Sequence, residues 1–221
     1  MDSIVSENIA VNYEQIAAGK SIGYRFCKRF LDILLSLMAL VVLFLPMMIV
    51  ALAIFIEDGG PVIFCQERSG WNGQTFRMYK FRSMCKNAPE MHAQLLEDNE
   101  LDGPAFKMKD DPRVTKVGKF IRKTSIDELP QLLNIIKGEM SIVGPRPLPT
   151  YETEQCNDYQ KQRLLVKPGL TCYWQCEGRN NVDFDEWIEM DLQYIREASL
   201  YTDLKIICMT VVAVFKSEGA Y

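Results

Sequence analysis

Ile33–Ile56, ILLSLMALVVLFLPMMIVALAIFI, is a run of 24 residues without a charge, and its reading decides the fold. As a straight helix rising about 1.5 Å per residue it is long enough to cross a hydrocarbon core of about 30 Å. Pro46 interrupts the run near its middle. Proline lacks the amide that donates to residue i−4 and its ring crowds that carbonyl, so the helix is expected to kink or break there into two half-helices. Neither half could cross alone. Arg25, Lys28 and Arg29 precede the run, and Arg68, Arg77, Lys80 and Arg82 follow it. Positive residues mark the cytoplasmic side of a membrane segment, so basic flanks at both ends fit a hairpin that dips in and returns. A proline-kinked span is the alternative. Physics alone favours that span, because backbone exposed at a re-entrant bend must find partners.

Outward from this element the chain divides into a polar arm over residues 1–20, a membrane element over 21–58 and one working domain over 59–221. The 221 residues are 48% apolar and 24% charged, which supports one core with an ordinary polar surface. A net charge of −4 gives no general attraction for nucleic acid, so anion binding must come from local basic clusters. The opening MDSIVSENIAVNYEQIAAGK lacks the basic and apolar regions of an export signal. Seven cysteines form no metal-binding spacing with a histidine and read as reduced structural residues. The single histidine, His92, has no partner nearby in sequence, which argues against histidine-based catalysis.

After Gly59-Gly60-Pro61, alternating Val62 and Phe64, then Phe76 and Met78, flank Asn72-Gly73 and predict a β-hairpin. Helical spacing follows over Ala88–Asn99, a loop over Leu101–Pro112, and helices over Lys116–Lys123 and LPQLLNIIKGEM, where Leu129, Leu132, Leu133 and Ile136 share a face and Gly138 ends the run. Two more helical patterns, DEWIEMDLQYIREAS and TDLKIICMTVVAVFK, close the chain. The expected class is α+β, mainly helical, with a re-entrant membrane helix hairpin and a small cytoplasmic catalytic domain.

Asp127 and Glu128 are the residues most able to carry chemistry. Ser125 and Glu128 fit a capping box, but Pro130 falls just past the first turn, so the local pattern leaves capping and catalysis equally open. A carboxylate can attack phosphorus while a second one handles a proton or a metal. Cations are close in sequence: Lys107, Lys109, Arg113, Lys116, Lys119, Arg122 and Lys123, with Arg146 held between prolines in Gly144-Pro145-Arg146-Pro147. A guanidinium there suits phosphate oxygens. The segment KPGLTCYWQCEGRNN offers Tyr173, Trp174 and Arg179 for base or sugar contacts, or simply a core tryptophan and a solvated loop.

Taken together, KRFLDILLSL, the proline-interrupted apolar run, YKFRSM, DPRVTKVGKFIRKTSIDELPQLLNIIKGEMSIVGPRP and KPGLTCYWQCEGRNN resemble the bacterial sugar transferases, the monotopic phosphoglycosyl transferases, over about residues 25–215. The resemblance implies a helix-break-helix bent at Pro46 that enters and leaves by the cytoplasmic leaflet of the bacterial inner membrane. It implies that Asp127 attacks the β-phosphate of a UDP-sugar, releasing UMP, and that undecaprenyl phosphate then takes the phosphosugar from the aspartate. Glu128 would assist the proton or the acceptor, Mg²⁺ would ride on the pyrophosphate with Asp127 as its protein contact, and Lys80, Arg122, Arg146 and Arg179 would cradle phosphate or substrate. The likeness within KPGLTCYWQCEGRNN points to hexose donors such as galactose or glucose, for an initiating step of cell-surface glycan synthesis. Whether the chain forms a homodimer is left open. The competing class is a non-catalytic membrane-anchored module whose basic face binds anionic lipid or protein.

Overall fold

The computed structural model describes residues 12–92, 95, 108, 110–177 and 182–216. Helix α1 (Tyr13–Ala18) opens with Asn12 accepting from the Gln15 amide, and Tyr13 is buried. Part of the N-terminal arm therefore docks on the core. Helix α2 (Ile22–Asp58) starts where the Ser21 hydroxyl accepts from the Tyr24 amide and stops at Gly59, φ 56°. Pro46 lies inside it, and the expected half-helices form one continuous element: a single proline removes one ladder bond, and the flanking turns carry the helix across.

Strands β1 (Ile63–Ser69) and β2 (Thr75–Phe81) pair antiparallel through a tight turn at Asn72 and Gly73, both with positive φ, as the sequence predicts. Phe76 and Met78 point inward. Helix α3 (Ala88–His92) covers the first five residues of the helix expected over Ala88–Asn99, Leu95 is in a bend, and the rest of that stretch and most of the loop beyond lie outside the described residues. Helix α4 (Lys116–Lys123) has the expected bounds, capped by Thr115 Oγ1 accepting from the Gly118 amide. Helix α5 (Gln131–Lys137) ends at Gly138, φ 90°. Its buried face is the expected one only in part: Leu132 is buried and Leu129 packs beside it, but Ile135 takes the place of Leu133. Leu132 and Ile135 pack on Phe76, Met78 and Met140, while Leu133 is exposed. The reason is a polar residue on the buried arc: Asn134 accepts from the Tyr79 amide at 3.0 Å and donates to the Arg77 carbonyl at 2.7 Å, tying α5 to β2.

Strands β3 (Ser141–Val143) and β4 (Gly169–Thr171) form a short parallel pair. Between them run α6 (Thr150–Gln155), α7 (Asp158–Lys161) and a tight helical turn at Gln162–Leu165. After β4 come α8 (Tyr173–Glu177), α9 (Phe184–Glu197) and α10 (Leu200–Lys216). Tyr13 and Leu148 join Phe184, Ile188, Leu192 and Ile195 of α9 in one apolar cluster. All seven cysteines are free.

Helix α2 touches the domain along its whole length. Near its start, Arg29 donates to the Ile135 and Ile136 carbonyls, and buried Asp32 accepts from Ser141 Oγ and the Ile142 amide. Midway, Ala39 and Leu40 meet the α5 cluster; farther on, Val50 and Ile54 pack on Phe81 and Ile121. At its end Glu57 accepts from the Lys116 and Val117 amides at the head of α4. The opposite side exposes Phe26, Leu34, Val41, Phe44, Ile49 and Phe55 among many apolar residues. By length and composition α2 is able to cross a membrane.

Candidate active site

The turn that carries the acidic pair follows α4. Ser125 adopts a left-handed conformation (φ 56°), costly for a residue with a Cβ, and it breaks the helix so that a tight turn over Ile126–Glu128 starts afresh. The Ser125 side chain caps nothing, and the capping box does not form. Glu128 instead turns its carboxylate to two cations. Lys80 Nζ on β2 approaches its Oε1 at 3.0 Å, and Arg146 grips both oxygens, Nη1 to Oε2 at 3.2 Å and Nη2 to Oε1. Burial alone would raise the Glu128 carboxyl, but Arg146 and Lys80 more than offset it and hold it well below the usual carboxylate range. Arg146 is correspondingly raised: burial opposes its charge, and Glu128 outweighs that.

Asp127 is 7% exposed, and among the described residues its carboxylate has no hydrogen bond or ion pair. Burial is the largest influence and pushes it up to about 6; ionised Glu128 adds to that, while Lys80, Arg122 and Arg146 pull it down. Two adjacent carboxylates thus have divided roles, one locked in ion pairs and one left open.

Arg122, on α4, donates from Nε to Ser83 Oγ at 3.1 Å. Gly118 permits that approach, since a Cβ there would stand 2.0 Å from the Ser83 carbonyl oxygen. Burial lowers the Arg122 pKa, with Asp127 the strongest charge opposing the loss. Behind it, buried Arg113 pairs with Asp111 at 2.6 Å. Lys80 and Arg146 are thus paired with Glu128, and Arg122 lies within electrostatic reach of Asp127. Lys116, Lys119 and Lys123 are exposed, and Lys107, Lys109 and Arg179 lie outside the described residues. Tyr173 is core, its hydroxyl donating to Glu197, and Trp174 stacks edge-on against Trp187 with ring centroids 4.1 Å apart.

Two arginines that shape the site carry no signal for that role in a single sequence. Arg68 donates to the Pro147 carbonyl, and Arg163 to the Arg146 carbonyl. Each is one basic residue in a stretch whose pattern reads as ordinary strand or helix.

The family described as bacterial sugar transferase matches residues 23–217, a stretch that includes all but the first residue of α2, the acidic turn and Lys80, Arg122 and Arg146. The chain belongs to this family. It is 50% identical over 204 residues to the galactosyl transferase CpsE of Streptococcus agalactiae, covering 90% of this chain and 44% of that protein. It is 44% identical over 201 residues to the undecaprenyl-phosphate galactose phosphotransferase of Salmonella typhimurium, covering 89% and 42%. With the UDP-glucose:undecaprenyl-phosphate glucose-1-phosphate transferase of Escherichia coli the identity is 40% over 205 residues, again covering 89% and 42%. The chain spans less than half the length of these three relatives.

Among the described residues no cluster of three or more metal-ligating acidic, histidine or cysteine side chains exists. The carboxylate of Asp127, which has no protein partner among the described residues, is the side chain that could contact a magnesium ion carried mainly by substrate phosphates and water.

Proposed function

We propose that this sugar transferase moves a hexose 1-phosphate from a UDP-hexose to undecaprenyl phosphate, releasing UMP, by way of an aspartyl-phosphosugar on Asp127. One observation carries the reading: a buried, unpartnered carboxylate lies among three cations while the neighbouring carboxylate is tied to two of them. Each of the three relatives is named for a hexose, the Salmonella typhimurium and Escherichia coli proteins also for undecaprenyl phosphate, and the Escherichia coli protein for UDP-glucose, which supports the donor and acceptor proposed here.

An Asp127 oxygen attacks the β-phosphorus, the bond from that phosphorus to the oxygen bridging toward the α-phosphorus breaks, and UMP leaves with the electron pair. Lys80, Arg122 and Arg146 offset the charge of the pyrophosphate as it is brought against an anionic nucleophile. In the second step a phosphate oxygen of the lipid attacks the same phosphorus and frees the aspartate, leaving a polyprenyl diphosphosugar. Neither step requires a proton to be delivered, because the leaving UMP and the attacking lipid phosphate are both anions near neutral pH. Glu128, held strongly acidic, is a poor proton carrier, and its part is to fix Arg146 and Lys80. Bound magnesium, held through Asp127, would neutralise phosphate charge.

The acceptor's tail stays in the bilayer, so the site must work at the lipid surface. A helix that crossed the membrane would put its ends on opposite sides. Because the same domain holds both Arg29–Asp32 and Glu57, both ends of the continuous helix α2 are read as lying at one leaflet, the cytoplasmic one where nucleotide sugars reside.

The test is UMP release by the purified protein with undecaprenyl phosphate, Mg²⁺ and a panel of UDP-sugars. UDP-galactose or UDP-glucose should support release, and Asp127→Asn should reduce it by about a thousandfold or more. Equal release from both proteins would remove the covalent step. Absence of release from every donor would favour a binding module.

A further inference from the structure

Arg146 is central to the site, yet its backbone belongs to a loop with little hydrogen bonding of its own, since Pro145 and Pro147 have no amide to donate. The loop is held from outside, carbonyl by carbonyl. The Val143 carbonyl accepts from Tyr194 Oη and Lys28 Nζ, each at 3.1 Å; that of Pro145 accepts from the Gly169 amide at 2.9 Å; that of Pro147 accepts from Arg68 Nη1 at 2.9 Å. The carbonyl of Arg146 itself accepts from Arg163 Nη2 at 2.6 Å, and the same guanidinium nitrogen lies 2.5 Å from Asp191 Oδ2 on α9.

Arg163 is 3% exposed and Asp191 1%, so two full charges are spent in the core to supply this one donor. A buried ion pair is a weak source of stability, because desolvation consumes most of its attraction and apolar side chains of similar size serve as well or better. Packing alone therefore does not account for it. What an apolar pair could not do is hold the backbone oxygen of Arg146 in one place, and Arg146 is the residue whose fork fixes Glu128. We infer that Arg163 and Asp191 are positioning residues of the transferase site: Asp191 orients the Arg163 guanidinium, Arg163 clamps the Arg146 carbonyl, and the clamp aims Arg146 at Glu128 and at the phosphate beside it.

The inference rests on the transferase reading of the site, and its test separates the two. Arg163→Lys keeps a charge for Asp191 but loses the planar fork. Arg163→Met with Asp191→Leu replaces the pair with apolar side chains and should fold with an unchanged or higher melting temperature. In the full chain in lipid nanodiscs, the Nε–H resonance of Arg146, assigned by its loss in Arg146→Lys, is recorded without any substrate. Both variants should broaden it or return it to the position of a free arginine. In the UMP-release assay, kcat should fall about 10- to 100-fold with a smaller change in KM, the cost of a misplaced group. On an Arg146→Lys background the apolar pair should cost little more, because the clamp then has nothing left to aim. An unchanged Arg146 resonance overturns the inference whether or not any donor turns over. So does an unchanged kcat in a variant that has lost the resonance. Failure of every UDP-sugar in wild type contradicts the transferase reading instead, and the resonance still decides whether the clamp exists.

Discussion

Asp127 couples chemistry to stability through its pKa. Its folded value of about 6 stands above the ordinary 3.8, so the unfolded chain gives up this proton more readily than the folded one. The contribution of Asp127 to stability is thus most favourable below about pH 4 and is lost as pH rises through 6, leaving a cost of about 2 to 3 kcal/mol at neutral pH. Asp127→Asn should raise the melting temperature at pH 7.5 and give no gain near pH 4, as measured by thermal unfolding in nanodiscs. On the proposed mechanism Asp127 must be ionised for turnover, and kcat/KM should fall about tenfold per pH unit below about pH 6. Lys80→Gln removes a cation that holds the Asp127 pKa down and should move that acidic limb to higher pH. A limb that stays put would show that Lys80 does not act on Asp127.

At the level of elements, α4 and the β-hairpin were legible because their signals are local. Lys116–Lys123 carries its own helical spacing, Gly138 stops α5, and Asn72-Gly73 turns the chain between two alternating runs. The parallel pairing of β3 with β4 was not legible, since three-residue strands far apart in sequence leave no periodicity to read. Burial of Asn134 in place of Leu133 escaped for a related reason: an apolar stripe cannot reveal a polar side chain whose partners lie on another strand. The acidic pair was visible, but its division of labour was not, because that depends on Lys80 and Arg146 arriving from both sides in sequence. Gly118 marks a place where an element's position sets the chemistry. Gly118→Ala drives a methyl into the Ser83 carbonyl, which should destabilise the fold by about 1–3 kcal/mol and cost activity by displacing Arg122. A variant as stable and active as wild type would disprove that placement.

For the whole molecule, α2 is long enough to cross a membrane, and the proposed reading puts both its ends on one side. Exposed Cys27, near the start of α2, and exposed Cys65, just past its end, are natural reporters. In variants retaining only one of them, a membrane-impermeant thiol reagent should label both in inverted vesicles and neither in spheroplasts; opposite sidedness would mean that α2 crosses the bilayer. Chelation of Mg²⁺ should stop turnover yet leave the melting temperature of the substrate-free protein unchanged, because the described residues hold no cluster that would bind the ion without a phosphate ligand. The family follows from the sequence comparison and the acidic turn from the structure, and the proposal rests on a covalent step at that turn. Mass spectrometry of the protein incubated with its donor and Mg²⁺ but no lipid acceptor tests that step directly. The account predicts one hexose phosphate on the peptide containing Asp127, absent in Asp127→Asn and discharged when undecaprenyl phosphate is added. An enzyme that turns over rapidly while that peptide never gains mass would contradict it.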